Sequence, residues 1–204
     1  AYQRAKNVSD TNAFGTLENL YQSGKEWFLQ STLSYPLKET NFRILVGGER
    51  CLQPYSMSVF NISAMSFGSL SAAAIEALNQ GAKLGGFAHD TGEGAISPYH
   101  KKHGGDLIWE LGTGYFGCRN HNGTFSAEKF AERSRIEQVK MIEIKLSQGA
   151  KPGKGGVLPK EKITPEIAET RDVPMDADCV SPASHSAFTT PREMVQFWQQ
   201  LREL

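Results

Sequence analysis

Lys145 stands inside the apolar run of IEIKLSQGAKPGKGG (142–156). In a strand its ammonium is costly to desolvate without a counter-charge. Gln148 and Lys151 follow it in a glycine-rich loop. Two lysines and an amide past a strand's C-terminal end suit a substrate carboxylate or negative charge developing on a bound group. A lysine snorkelling above a surface loop is the alternative. A second candidate is Glu93, set between Gly92 and Gly94 in HDTGEGAIS (89–97). A carboxylate on a catalytic rim holds an ammonium or orients a substrate; a solvated loop acid is the alternative. The third is SAMSFGSLS (63–71), where Gly68 permits a tight turn that can set backbone N–H groups and hydroxyls against a ring system or an anion. A generic strand-to-helix turn reads the same way.

Other reactive residues form no such constellation. His89, His100, His103 and His121 are read as solvated loop histidines: Lys101 and Lys102 separate the middle pair, and no carboxylate or cysteine completes a ligand set at helical spacing. No metal site is expected. Ser184 and His185 lack a nucleophile elbow. Cys51, Cys118 and Cys179 are too dispersed for a disulfide framework or zinc spacing and are read as reduced thiols.

These residues need elements to position them. Residues 1–14 read as an irregular arm, and 15–34 as a loose helical pattern weakened at Gly24. Strands are expected over 42–48, 56–65, 87–90, 106–112 and 139–146. Helices are expected over 71–85, 126–135, 164–171 and 191–204, capped by Ser69 or Ser71, Ser126, Thr164 and Thr190. Strands alternating with helices argue for parallel βαβ units. The long loops, 91–105 and 147–163, both follow strand C-terminal ends, the face where an α/β barrel carries its chemistry.

The 204 residues suffice for one domain with a core but fall short of the ~250 of a complete (β/α)₈ barrel. Basic and acidic residues balance at 22 each, which gives no argument for nucleic acid or an anionic membrane as partner. No apolar run reaches the ~20 residues of a membrane span, and AYQRAKNVSD lacks a signal-peptide core. A cytoplasmic protein is expected.

Taken together, NISAMSFGSLS, DTGEG and IEIKLSQGAKPGKGG, in this order and spacing, resemble the flavin domain of the glutamate synthase family. The wider likeness to FMN-binding glutamate synthase-like proteins runs from AYQRAK to the final helix and includes GGFAHDTGEG, SPYHKKHGGDLIWELG, GYFGCRN and DCVSPASHSAF. The resemblance implies an α/β fold of the (β/α)₈ TIM-barrel type with FMN at its C-terminal face. The chain is then an incomplete N-terminal part of it: one domain over 1–204, with an arm and leading elements over 1–55 and barrel βα units over 56–204.

The implied reaction joins 2-oxoglutarate and ammonia, free or glutamine-derived, into 2-iminoglutarate, which reduced FMN converts to glutamate. The electron donor is reduced ferredoxin or an NAD(P)H-linked subunit. Position by position, Ala64, Met65 and Ser66 match the segment lining the flavin. Glu93 matches a substrate-side acid. Lys145, Gln148 and Lys151 match the strand and loop that hold flavin and 2-oxoglutarate. The chain departs from the large enzymes in having Asp90 where they usually have Asn, and in lacking a glutaminase nucleophile and the clustered cysteines of an iron–sulfur centre. The strands expected to hold the flavin phosphate lie beyond the fifth or so βα unit, so this piece alone is expected to be inactive. A flavin oxidoreductase acting on another substrate and a non-catalytic barrel fragment are the competing readings.

Overall fold

The computed structural model describes residues 41–148 and 154–204, together with 19, 21–24, 26–29, 32, 33 and 36. Asn41–Leu204 forms a unit of its own, and the fold below is that of this unit. Lys151 lies outside the described residues. Of the helix expected over 15–34, residues 21–24 form a turn and 26–29 have no regular structure; the remainder is mostly outside the described residues.

Strand β1 (Arg43–Val46) pairs antiparallel with β2 (Tyr55–Ser58), Val46 opposite Tyr55 and Arg43 opposite Ser58. β-Branched and apolar content without a turn residue predicts one strand over 56–65, but the chain changes sheets within it. Asn61 makes the break: its amide nitrogen donates to the Ser58 carbonyl at 2.6 Å and its amide oxygen accepts from Ala88 N–H at 3.0 Å. Ile62 then bridges in parallel to His89. Helix α1 (Ala72–Gly85) follows, capped by Ser71 Oγ and ended by left-handed Gly86. It buries Ile75, Asn79 and Ala82, one face at helical spacing.

The central sheet is parallel, in the order β3 (His89–Asp90), β4 (Leu107–Leu111), β5 (Val139–Ile144). Its register sets His89 beside Leu107, and, past an irregularity at 107–108, Glu110 beside Glu143 and Leu111 beside Ile144. Parallel neighbours require crossovers. One holds a single helical turn, α2 (Pro98–Lys101), and the next holds α3 (Ala127–Ser134), capped by Ser126. β4 is buried along its whole length, as a central parallel strand should be. The described parallel strands form an open sheet and do not close into a barrel.

The loop predicted over 147–163 contains order that composition does not reveal. β6 (Val157–Leu158) pairs antiparallel with β7 (Cys179–Val180), enclosing α4 (Pro165–Arg171), which Thr164 caps. Two-residue strands are too short for periodicity to register. Helix α5 (Pro191–Glu203) opens with a capping box between Thr190 and Glu193 and buries Phe197 and Leu201. Two apolar clusters result. One gathers Leu107, Trp109, Leu111, Tyr115, Phe130 and Phe197 between sheet and helices; Trp109 and Phe130 stack at 5.2 Å. The other joins Phe67, Ile75, Phe116, Ile163 and Ile167. The three cysteines are free. No helix among the described residues is long and apolar enough to cross a membrane.

Candidate active site

Because Ile62, β3, β4 and β5 run parallel, their C-terminal ends meet at one edge. There the Met65 N–H donates to the Asp90 carbonyl at 3.1 Å, and the Lys145 N–H to the Leu111 carbonyl at 3.1 Å. Glu93 rises from the loop after β3. Gly92 takes φ 64°, its N–H donating to Asp90 Oδ1 at 2.8 Å; the Gly94 N–H donates to Ser66 Oγ at 3.3 Å. The turns at 66 and 92–94 therefore touch, and a Cβ at Gly92 would stand 2.3 Å from Ser66 Oγ. Glycine is required there by contact as well as by φ.

The Glu93 carboxylate is gripped by Gln148, whose amide nitrogen lies 2.9 and 2.8 Å from its two oxygens. A Cβ on Gly156 would come within 2.9 Å of Glu93 Oε1, and one on Gly112 within 2.9 Å of Glu93 Cβ. Three loops thus close around this acid. Lys145 Nζ lies 3.9 Å from Glu93 and 3.2 Å from Glu110. The strand expected over 139–146 contains Lys145, but β5 ends at Ile144, so Lys145 is the first residue past it. The counter-charge its sequence context demands is chiefly Glu110, buried in β4. Glu110 escapes a search for loop residues; its signal is an acid in the middle of the apolar LIWEL run.

Asp90, Glu110 and Glu143 bring carboxylate oxygens within 4.8 Å of one another. Burial, with the charges of Glu110 and Glu143, pushes the Asp90 carboxyl up to about 7 against the help of the Gly92 N–H. Burial likewise raises Glu110, opposed by Lys145. Lys145 is thus the cation of a crowded acidic edge.

Two histidines, His89 and His100, depart from their reading as solvated loop residues. His100 is fully buried. Its Nε2 lies 3.0 Å from the Met65 carbonyl, and its Nδ1 is met by Ser97 Oγ at 2.8 Å. A carbonyl only accepts, so Nε2 carries the proton. The capping box of α2 carries the ring inward, which spacing in a charged segment does not disclose. His89 is fully buried beside it, ring centroids 5.2 Å apart, with neither nitrogen hydrogen-bonded. Burial pushes both imidazoles down to about 4. His185, also buried, reaches the Lys145 carbonyl at 2.8 Å. His103 is partly buried against Glu76 at 3.1 Å.

Arg171, at the end of α4, was not singled out from the sequence. It is 4% exposed. Its Nη2 donates to the Phe67 carbonyl at 2.8 Å, and the guanidinium lies 5.5 Å from the Phe116 ring centroid. A Cβ on Gly94 would meet Nη2 at 3.0 Å, so the cation sits directly beneath the Glu93 turn. Among the described residues no carboxylate forms an ion pair with it, and its Nε is unpartnered.

A family model described as the conserved region in glutamate synthase matches residues 17–204. The chain is 42% identical over 162 residues to the glutamate synthase large subunit-like protein YerD of Bacillus subtilis (strain 168), covering 78% of this chain and 31% of that protein. It is 36% identical over 141 residues to the archaeal-type glutamate synthase [NADPH] of Thermotoga maritima, covering 69% and 25%. To a glutamate synthase large subunit-like protein of Rhizobium meliloti (strain 1021) it is 27% identical over 206 residues, covering 98% and 44%. The chain thus spans between about a fifth and under half of the length of the curated relatives it matches. It belongs to the glutamate synthase family.

Proposed function

We propose that the full-length protein is an FMN-dependent oxidoreductase that aminates 2-oxoglutarate through 2-iminoglutarate to glutamate, its parallel sheet continuing into a (β/α)₈ barrel. The observation that carries this reading is Glu93: a carboxylate held by Gln148, within reach of Lys145, above buried Arg171, which has no ion-pair partner among the described residues.

The residues fit the flavin in kind. Ala64 is exposed, Met65 and Ser66 are half-buried, and the segment's inward hydrogen bonds are already made to Asp90 and His100. Small side chains on a braced backbone suit a flat ring. When bound, reduced FMN supplies the hydride. Lys145 would bring positive charge to the anionic side of that ring.

Substrate chemistry falls to the rim. 2-Oxoglutarate is a dicarboxylate; Lys145 and Lys151 are the cations that the family resemblance offers it, with the Gln148 amide, and buried Arg171 adds positive charge beneath the Glu93 turn. Ammonia adds at the ketone carbon and water leaves, giving an imine whose protonated form is cationic. Glu93 favours that form over the neutral ketone and orients it. Hydride addition at the imine carbon then gives the amine. Electrons come from reduced ferredoxin or an NAD(P)H-linked partner.

Glu93→Gln removes the charge and nearly keeps the shape. Ammonia-dependent amination by the full-length protein should fall about tenfold or more, the effect of losing ~1.4 kcal/mol of transition-state stabilisation. Yellow FMN should be retained on dialysis. Unchanged amination kinetics would refute the role of Glu93. FMN retained by the unsubstituted protein without glutamate formation would point to a flavin enzyme with another substrate, and no flavin at all to a non-catalytic scaffold.

A further inference from the structure

His185 lies in the SPASHSAF segment, buried, and no element end or turn requires a histidine there. Its Nε2 is 2.8 Å from the Lys145 main-chain oxygen and its Nδ1 is 2.9 Å from the Tyr115 hydroxyl. The carbonyl can only accept, so Nε2 carries the ring proton. Burial pushes the imidazole below its ordinary range, so the ring is neutral and Nδ1 accepts from the Tyr115 O–H. The Tyr115 oxygen accepts in turn from the Ala187 N–H at 3.2 Å. The chain of donors therefore runs one way, from Ala187 through Tyr115 and His185 to Lys145.

The geometry around this chain is stiff. His185 stacks on Phe188 with ring centroids 4.6 Å apart and an interplanar angle of 20°, and Tyr115 meets it at 5.3 Å and 59°. Tyr115 is fully buried with φ 49°. That left-handed conformation is strained for a non-glycine residue, and such outliers persist where the surroundings over-determine them. Lys145 is held on both halves of its backbone: its N–H by the Leu111 carbonyl of β4, its C=O by His185. Both anchors flank one Cα, so together they set the direction in which the side chain leaves toward Glu110 and Glu93.

We infer that His185, backed by Tyr115, is the positioning residue of Lys145 and through it of the Glu93–Lys145 pair. The inference rests on the reading of Lys145 as part of the reaction site given above. His185 touches no substrate; it acts by fixing the main chain where β5 ends.

The test uses the full-length FMN-loaded protein, with His185→Ala, His185→Gln and Tyr115→Phe. The Gln amide can donate to the Lys145 carbonyl from the position of Nε2, and Ala cannot. With dithionite as reductant, the turnover of 2-oxoglutarate and ammonia should fall about tenfold or more in His185→Ala with FMN retained. His185→Gln should recover most of it, and Tyr115→Phe should lie between. Turnover in His185→Ala equal to that of the unsubstituted protein would overturn the inference, as would a folded His185→Gln as slow as the alanine variant. Two readouts need no activity. The ¹⁵N shifts of His185 should show a neutral ring protonated at Nε2; a proton on Nδ1 alone would overturn the inference. Exchange of the Lys145 amide should quicken about tenfold in His185→Ala and not in His185→Gln; equal exchange in the two would overturn it. If the unsubstituted protein shows no amination, the proposed function fails, while these two readouts still decide the role of His185.

Discussion

Lys145 faces two carboxylates of different character. Glu110 is 4% exposed and 3.2 Å away, whereas Glu93 is 3.9 Å away and has its own amide partner in Gln148. Removing the lysine leaves a charge buried in β4 without compensation, a far larger effect than losing a surface pair. Sequence alone predicts that Lys145→Ala impairs chemistry more than folding; the ion pair adds a stability effect. Lys145→Ala should lower the unfolding free energy by about 2–3 kcal/mol. Adding Glu110→Gln should restore about half or more of that, since the buried group then carries no charge. Urea unfolding of the single and double variants measures the coupling. Strict additivity would show that Lys145 and Glu110 do not depend on one another.

At the scale of elements, the site is made by strand ends and by loops that approach closely. α1 is tied to the loop before β4 by buried Asn79, whose amide oxygen accepts from the Gly105 N–H at 3.1 Å. α2 delivers His100 to the Met65 carbonyl. The 92–94 turn lies so close to Ser66 that a side chain on Gly92 has no room. Gly92→Ala should cost about 1–2 kcal/mol for its left-handed backbone, with a further loss from contact with Ser66. Gly104 is the control. It has φ 69° but nothing within 4 Å of an added Cβ, so Gly104→Ala should incur the backbone cost alone. Calorimetric melting of the two variants should show the larger drop for Gly92→Ala, accompanied by lost activity. Equal drops would mean that the two turns are not in contact in solution.

For the molecule as a whole, buried ionisable groups dictate how stability varies with pH. His89 and His100 titrate at about 4 in the fold and at about 6.5 when unfolded. Between those values the unfolded chain binds two more protons. The stability from keeping these rings neutral is fully present above about 6.5 and is lost as pH falls toward 4. Asp90 has the opposite sign: its carboxyl is raised to about 7, so its contribution is present below about 4 and lost as pH rises through 7. The balance is two protons against one, a net rise in stability of about 1.4 kcal/mol per pH unit across 4–6.5. Lowered His185 adds to this slope and raised Glu110 subtracts from it. Asp90→Asn keeps an acceptor for the Gly92 N–H and removes the opposing proton. The slope should then about double in urea titrations over that range; an unchanged slope would mean that Asp90 ionises normally in the fold.

Much of the architecture is local and was therefore readable from the chain. Ser71, Ser126, Thr164 and Thr190 each cap the helix that their positions announce, because a hydroxyl bonding to an N–H three residues on needs nothing distant. The apolar runs at 106–112 and 139–146 give β4, buried at every position, and β5 for the same reason: apolar and β-branched content is written in consecutive residues. Glu93, Lys145 and Gln148 were legible as rim residues through strand-end position and family resemblance, and they do come together. Which groups they meet was decided only in three dimensions. Glu110 lies 35 positions from Lys145 in the numbering and faces it because β4 and β5 are adjacent in one register. His89 and His100 read as solvated loop residues, and His185 only as lacking a nucleophile elbow, because a histidine's role follows from what packs over it, and burial is a property of neighbours supplied by remote segments. Arg171 stands at the end of a helix, where a solvated cation is ordinary; only the folding of α4 beneath the turns at 66–68 and 92–94 makes it a buried charge.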